Sequence, residues 1–201
     1  PFYANDKTFV QSVSGVVVPI TTKAEQGFHL PGREEIEQKI TPRTRAIILC
    51  YPNNPTGTVF TRAEMEMVAD LARTHGFFIL ADEVYREFVY DGLEYVSFGS
   101  LEGVDEHVVI MDAVSKRYSA CGARVGCLVS RNAGLVAQVL KLCQARTCVG
   151  AMDMAGAAAL YDTPVSYLKD VKDEYTARRN TVYRALKQIP GVVCEEQKGA
   201  F

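Results

Sequence analysis

The sequence predicts an α/β fold, with a largely parallel sheet flanked by helices. Three apolar runs have the length and composition of buried strands, at residues 46–50, 77–80 and 108–111. The second run is apolar on both faces, which is typical of a parallel sheet covered on both sides. A helical pattern lies between the first two runs, and such a crossover returns the chain to a parallel neighbour. Polar residues follow each run, so a site is expected at the carboxyl edge of the sheet.

Two short elements are expected ahead of the first strand. Residues 15–20 have the composition of a short buried strand. Residues 33–40 have the pattern of a brief helix with Ile36 and Ile40 on one face, and the following residues, 41–44, break it.

The helix between the first two strands has clear boundary signals. Thr61 stands at the N-cap position, and Glu64, three residues later, completes a capping box. The apolar stripe of this helix comprises Met65, Val68, Ala69 and Ala72. It ends before Gly76, a residue type that commonly terminates helices.

The C-terminal half begins with one more strand, at residues 125–129. Asn132 can then cap a helix that runs to about Cys148, and an alanine-rich helix follows at residues 152–160.

A long amphipathic helix is expected after these elements. Thr163 and Pro164 have the order of a cap followed by proline in the first turn, and the helix runs towards Gln188. Pro190 and Gly191 end it.

Two basic residues follow the third strand at positions where they can meet a ligand. The Lys116 amine would project from the strand end into a crevice, and a lysine in partly dry surroundings can be neutral enough to attack an aldehyde. Arg124 lies eight residues further on, where a guanidinium can clamp a phosphate. The alternative for both is an ordinary solvated charge, and Arg117 is expected to be one.

The two earlier strand ends add an amide, a carboxylate and a phenol. Asn54 lies in the turn at residues 51–57, and Asp82 and Tyr85 follow the second strand. A carboxylate at the end of a buried strand needs a cation. In the alternative interpretation the turn is an ordinary one, Asp82 caps a helix and Tyr85 packs.

The order and spacing of these motifs match a known family. The chain has Asn54-Pro55-Thr56-Gly57, then Asp82 and Tyr85, then Ser115-Lys116, then Arg124. In this pattern it resembles the fold-type I, pyridoxal-phosphate-dependent aminotransferases (class I/II) along nearly its whole length. The resemblance covers only the middle of such an enzyme, so the large cofactor domain is expected to be truncated at both ends.

The resemblance implies a cofactor, pyridoxal 5'-phosphate, and a role for each residue. Lys116 would form a Schiff base with the cofactor aldehyde and serve as general base, while Asp82 would keep the pyridine nitrogen protonated. Asn54 and Tyr85 would contact the phenolic oxygen, and Arg124 the phosphate.

Two further cofactor contacts depend on the same resemblance. Many members of the family have a serine three residues before the lysine, where this chain has Ala113. Ser115 or Ser119 would then supply the phosphate contact. Tyr3 matches the aromatic residue that stacks on the cofactor ring, with ordinary packing as the alternative.

The implied reaction is transfer of an amino group between an amino acid, aspartate or a broad range of donors, and a 2-oxo acid. A β-eliminating lyase of the same fold is the alternative enzyme. The alternative that is not an enzyme is an aminotransferase-like domain that senses an effector in a transcription regulator. The family also implies a homodimer in the intact protein, and the 201-residue chain by itself is expected to be inactive.

The resemblance also implies three regions. Residues 1–162 would be part of the cofactor-binding domain, residues 163–189 a long bridging helix, and residues 190–201 the start of a small C-terminal domain.

Composition excludes several other classes of protein. The net charge of −2 and the lack of a basic tract argue against nucleic acid as a partner. No apolar run approaches the roughly 20 residues that span a bilayer. The six cysteines show no CxxC pair or metal-ligand spacing, so we expect no metal, and reduced, mostly buried thiols in a cytoplasmic protein.

Overall fold

A four-stranded sheet forms the centre of the computed structural model, which describes residues 1–200. The strands are β1 (Ala46–Cys50), β2 (Phe78–Asp82), β3 (Val108–Ala113) and β4 (Gly126–Val129). They lie in the order β1-β2-β3-β4; the first three are parallel, and β4 is antiparallel to β3. The predicted α/β class with a mostly parallel sheet is therefore confirmed.

Seven α-helices accompany the sheet in residues 1–200, together with five short 3-10 turns. The helices are α1 (Ala4–Ser12), α2 (Arg33–Glu37), α3 (Arg62–His75), α4 (Val114–Arg117), α5 (Ala133–Ala145), α6 (Ala151–Ala159) and α7 (Val165–Leu186).

Helix α3 packs on the sheet and forms much of the core. Its predicted capping box is present: the Thr61 hydroxyl accepts the Glu64 N–H at 3.2 Å, and the Glu64 carboxylate accepts the Thr61 N–H at 2.7 Å. Met65, Val68 and other residues of its apolar face are fully buried. Burial of each such side chain stabilises the folded state by about 1.5–3 kcal/mol. This apolar face therefore holds α3 against the parallel strands that it connects.

The prediction of a strand at residues 15–20 is wrong. These residues form no regular element, and Val16 and Val18 are exposed. A strand requires a hydrogen-bonded neighbour, and an apolar run cannot show whether one is present. Helix α2 is also shorter than predicted, although Ile36 is buried and Ile40 packs on the core beyond the helix end.

The expectation of mostly buried thiols is wrong. Within the described residues, Cys50 alone among the cysteines is buried; the other five are Cys121, Cys127, Cys143 and Cys148, which are exposed, and Cys194, which is partly exposed. All six are unpaired thiols. Several of the exposed ones lie on or beside β4 and α5, elements in which no residue is buried by the described part of the chain.

The C-terminal helices begin close to the predicted positions. Asn132 caps α5 by accepting the Leu135 N–H at 2.8 Å, as predicted, but this helix ends at Ala145. Pro164, not Thr163, stands at the N-cap position of α7, and no side chain caps that helix. Proline has no N–H and a restricted φ, which suits a helix start without a polar cap.

Helix α7 packs against a small buried cluster that includes Cys50, the last residue of β1, and Tyr85. Tyr175 contacts the cluster that contains Tyr85 and Phe88, with the Tyr175 and Phe88 ring centroids 5.6 Å apart. The division into three regions at residues 162 and 189 stays a prediction, and Phe201, in the third region, lies outside the described residues.

None of the helices in residues 1–200 has both the length and the apolar character needed to cross a membrane.

Candidate functional site

The site lies where the carboxyl ends of β1, β2 and β3 meet. The register pairs Cys50 with Asp82, and Asp82 with Met111, so the three strands end side by side. Asn54 follows β1, Asp82 is the last residue of β2, and Lys116 lies in the short helix after β3. The predicted placement of these groups at one edge of the sheet is thus what the structure shows.

The turn after β1 holds Asn54 in a defined position. The peptide bonds before Pro52 and Pro55 are cis. The Asn53 carboxamide oxygen accepts the Thr56 hydroxyl at 2.8 Å and the Thr56 N–H at 3.2 Å, which is typical of asparagine in turns. From this frame the Asn54 amide donates to the Tyr85 hydroxyl at 3.2 Å.

Tyr85 is buried, and its hydroxyl stays protonated near neutral pH. Burial raises the pKa of the phenol to about 12. The Lys116 amine lies 5.6 Å from the centroid of the Tyr85 ring. A hydroxyl that keeps its proton can donate a hydrogen bond to an anionic oxygen in this space.

Asp82 is a partly buried carboxylate, and within residues 1–200 it forms no ion pair within 4 Å. Burial raises its pKa above the ordinary value, and the nearby carboxylates of Asp6 and Asp112 add to that rise. The Val84 N–H donates to it at 3.2 Å, and the Lys116 charge lowers its pKa. A carboxylate in such a place is stabilised by a cation that binds next to it.

The other predicted residues, Arg124, Ser115 and Tyr3, lie in three different elements of the chain. Arg124 is exposed, has a left-handed backbone (φ 55°), and donates to the Cys121 carbonyl at 3.1 Å. Ser115 is partly buried in α4, directly before Lys116. Tyr3 is 46% exposed and stands at the N-cap of α1. The structure therefore brings Asn54, Tyr85, Asp82 and Lys116 together, whereas within residues 1–200 no hydrogen bond links Arg124, Ser115 or Tyr3 to these four.

Two residues at the strand ends were missed from the sequence. Cys50 is buried opposite Asp82, and burial raises the pKa of its thiol to about 12, so it is a neutral neighbour. Glu83 is completely buried and accepts hydrogen bonds from the Ser97 hydroxyl at 2.9 Å and the Phe98 N–H at 3.1 Å. For Glu83, the sequence does contain a signal: Asp82 and Glu83 are consecutive acidic residues after an apolar strand. Because successive side chains of a strand point to opposite faces, only one of the two can face the site and the other must point away from it.

The expectation that Arg117 is a surface charge is wrong. Arg117 is only 5% exposed, and its guanidinium donates to the Asp112 carboxylate at 2.7 Å. Adjacent residues of a helical turn point about 100° apart, so Lys116 can face the site while Arg117 faces the protein. The sequence signal was the aspartate five residues before it.

Within residues 1–200, no cluster of three or more histidine, cysteine or acidic side chains is arranged to hold a metal ion.

The fold is that of an open-sheet α/β protein, and its candidate site lies at the carboxyl ends of parallel strands, where proteins of this class bind ligands. The model of the family "Aminotransferase class I and II" matches residues 1–201, the whole chain, so the protein belongs to this family. The family expected from the sequence motifs is thereby confirmed.

Named relatives and solved structures agree with this membership. The chain is 36% identical to an aromatic-amino-acid aminotransferase of Thermococcus litoralis and 30% identical to an aspartate aminotransferase of Rhizobium meliloti. These matches cover 100% of this chain and 52% and 49% of the two relatives. The crystal structure of an aromatic aminotransferase from Pyrococcus horikoshii superimposes with a TM-score of 0.92 at 29% identity, over 100% of this chain and 54% of that one. The chain thus spans about half the length of the relatives that it matches.

Proposed function

We propose that the full-length protein is a pyridoxal-phosphate-dependent aminotransferase that moves an amino group between an amino acid and a 2-oxo acid. The observation that carries the proposal is the partly buried Asp82 carboxylate, without an ion pair in residues 1–200, beside the Lys116 amine and the Asn54–Tyr85 pair.

The residues at the site fit this cofactor. Asp82, which forms no ion pair within residues 1–200, would pair with the protonated pyridine nitrogen. Asn54 and Tyr85 supply an amide and a protonated hydroxyl for the phenolic oxygen. Arg124, an exposed cation at the end of the 3-10 turn that follows α4, would be suited to the phosphate.

Ser115 and Tyr3 complete the proposed set. Ser115 lies one residue before Lys116, close enough in the chain to add a hydroxyl to the phosphate contacts. Tyr3, which is 46% exposed at the N-cap of α1, would cover the ring, as the family resemblance implies.

When bound, pyridoxal phosphate supplies an electron sink that stabilises negative charge on the substrate α-carbon. Lys116 would hold the cofactor through its amine and, once released, move the proton at that α-carbon. Asp82 would keep the nitrogen proton in place, and Tyr85, with its pKa of about 12, would remain a donor throughout the working pH range.

The substrate class rests on the relatives. Those to which the chain is similar are named as aspartate, aromatic-amino-acid and arginine–pyruvate aminotransferases. We therefore propose aspartate or a broad range of amino acids as donors, with a 2-oxo acid as acceptor. A homodimer in the cytoplasm, suggested by the family resemblance, is part of the same proposal.

The test uses the full-length protein. Aspartate and 2-oxoglutarate should yield glutamate, and borohydride treatment of the cofactor-loaded protein followed by peptide mapping should place the pyridoxyl label on Lys116. A Lys116→Ala variant should lose both signals, while the matched control Lys169→Ala, an exposed lysine of α7, should keep them. A label on another lysine would contradict the assignment. Ammonia and pyruvate from an amino acid with a thiol leaving group on its β-carbon, without glutamate from aspartate and 2-oxoglutarate, would indicate the eliminating lyase.

A further inference from the structure

We propose that Arg117 is a positioning residue for Lys116. Its buried guanidinium joins the turn that carries Lys116 to the turn that carries Tyr85, and so sets where the lysine amine lies. The inference rests on the proposed function, because it assigns no new reaction and concerns the geometry of the same lysine.

The segment that carries Lys116 cannot hold its own position. Helix α4 is a single turn, Val114–Arg117, closed by the Tyr118 N–H bonded to the Val114 carbonyl at 3.1 Å. A helix of one turn is unstable by itself because nucleation costs more than one hydrogen bond returns. The turn is attached by the buried Val114 side chain and by Arg117, while Lys116 is exposed towards the site.

Asp112 is the anchor for Arg117. One carboxylate oxygen of Asp112 accepts the Ala113 N–H at 2.8 Å, which orients the side chain. The other oxygen lies 2.7 Å from Arg117 Nη2 and 3.1 Å from Arg86 Nη2. The side chains of Asp112 and Arg117 are only 10% and 6% exposed, so this pair is shielded from solvent. Ionic hydrogen bonds in such surroundings are among the stronger polar contacts in proteins.

The same cluster reaches the turn after β2. Arg117 Nε lies 3.4 Å from the Glu87 carboxylate, and Arg86 Nε lies 3.6 Å from the same oxygen. Arg86 and Glu87 directly follow Tyr85, whose ring lies under the Lys116 amine. Two arginines and two carboxylates therefore connect the Lys116 turn, strand β3 and the Tyr85 turn.

This connection explains why an arginine is buried directly after an exposed lysine. Burying the guanidinium has a cost, and the Arg117 Nε atom is buried without a hydrogen-bond partner among residues 1–200. An apolar residue at this position would fill the space but would leave the two turns unlinked. Because a displacement of about 1 Å at a reacting group can cost about a hundredfold in rate, the link has a direct consequence for Lys116.

The experiment compares Arg117→Met and Arg117→Lys in the full-length protein with the control Arg131→Met. Arg131 forms a pair with Asp105 on the surface, and its side chain is 73% exposed. Four quantities are measured: total cofactor retained after gel filtration, the rate at which borohydride-stable label accumulates on Lys116, kcat and KM for the amino-acid donor, and the melting temperature of the cofactor-free protein.

We expect Arg117→Met to retain the cofactor within about threefold, while labelling of Lys116 and kcat fall about tenfold or more and KM changes little. Arg117→Lys should recover part of the labelling rate, because an ammonium can pair with Asp112 but cannot bridge to Glu87 in the same way. Arg131→Met should match the unchanged protein in all four measurements.

A lower melting temperature with unchanged labelling and kcat would mean that Arg117 only stabilises the fold, and would overturn the proposal. If Arg117→Met does not fold, Glu87→Gln removes the charge with which the Tyr85 turn meets Arg117 and leaves the Arg86–Asp112 contact in place. Unchanged labelling in that variant would overturn the proposal equally. Absence of label on Lys116 in the unsubstituted protein would instead contradict the proposed function.

Discussion

The Asn54 amide donates to the Tyr85 hydroxyl at 3.2 Å and joins two turns that lie 31 residues apart in the chain. Asn54 is held by the turn after β1, and Tyr85 by burial after β2. The contact exists because parallel β1 and β2 end side by side. It orients the phenol next to Lys116, so removal of the hydroxyl should affect chemistry more than folding.

Tyr85→Phe should lower kcat of the full-length protein by about 10- to 100-fold, because a hydrogen bond to a charged group contributes about 1.5–3 kcal/mol. The melting temperature should change little, since the ring and its packing stay. Steady-state kinetics and thermal unfolding measure the two effects. Tyr161→Phe, a change at a 65% exposed tyrosine, is the control, and an equal loss of activity there would contradict the specific role of Tyr85.

Asp82→Asn should have opposite effects on activity and on the stability of the cofactor-free protein. Turnover should fall by roughly a hundredfold to several thousandfold, the equivalent of about 3–5 kcal/mol for a broken ion pair. Without the cofactor the substitution should stabilise the fold at pH 7 by about 1 kcal/mol, because it removes a partly buried charge that has no ion-pair partner in residues 1–200.

The pH dependence of that gain has a definite sign. Burial raises the folded-state pKa of Asp82, so the carboxylate costs stability as pH rises above its unfolded pKa of about 3.9. The difference between Asp82→Asn and the unsubstituted protein should therefore shrink as pH falls towards about 4. Urea unfolding of the cofactor-free protein between acid and neutral pH measures it, and a gain independent of pH would contradict the assignment.

Asp91→Asn should destabilise the protein, because Asp91 pairs with a buried arginine of α7. Both Arg179 Nη atoms lie 2.8 Å from the Asp91 carboxylate, and the Arg179 side chain is only 2% exposed. Breaking a buried pair costs about 3–5 kcal/mol, and since the Asp91 side chain is 35% exposed we expect about 1–3 kcal/mol. Asp173→Asn, in an exposed pair with Lys169, is the control.

The loss should depend on pH in the direction opposite to that for Asp82. The hydrogen bonds from Arg179 lower the pKa of Asp91, so its contribution is complete above the unfolded pKa of about 3.9 and disappears as pH falls through the folded pKa. Urea unfolding at neutral pH should show the full difference, and unfolding below about pH 4 a smaller one. A difference that grows with acidity would contradict this pairing.

Thr61→Ala should cost about 1 kcal/mol, the usual value for loss of an N-cap, because the Thr61 hydroxyl bonds the Glu64 N–H. Ser166→Ala, at an exposed position of α7, should be close to neutral. Chemical denaturation measures the free energy of unfolding of both variants. Equal values for Thr61→Ala and Ser166→Ala would show that the Thr61 cap does not stabilise α3.

The 201-residue chain by itself should not catalyse transamination, although the full-length protein should. Lys116 and Arg124 are exposed, and β4 and α5 bury none of their residues in the described part of the chain, so the cofactor would be poorly held. Glutamate production from aspartate and 2-oxoglutarate tests this, with the full-length protein as the positive control. Equal specific activity would contradict the expectation.

The sequence by itself determined the fold class, the capping box of α3, and the order in which Asn54, Asp82 and Lys116 follow the strands. These features depend on interactions between residues close in the chain, or on the rule that parallel strands end at one edge. For the same reason the family could be inferred from motif order and spacing, and its model then matched the whole chain.

Only the tertiary structure decided what depends on contacts between distant segments. The absence of a strand at residues 15–20 follows from pairing, which composition does not encode. The burial of Arg117 depends on Asp112 and on Glu87, which lies 30 positions earlier in the chain, and the burial of Arg179 depends on Asp91. From sequence alone a charged residue is predicted to be exposed, because burying a charge without a partner is unfavourable. Its partners lie far away in the chain and can be identified only in the folded structure.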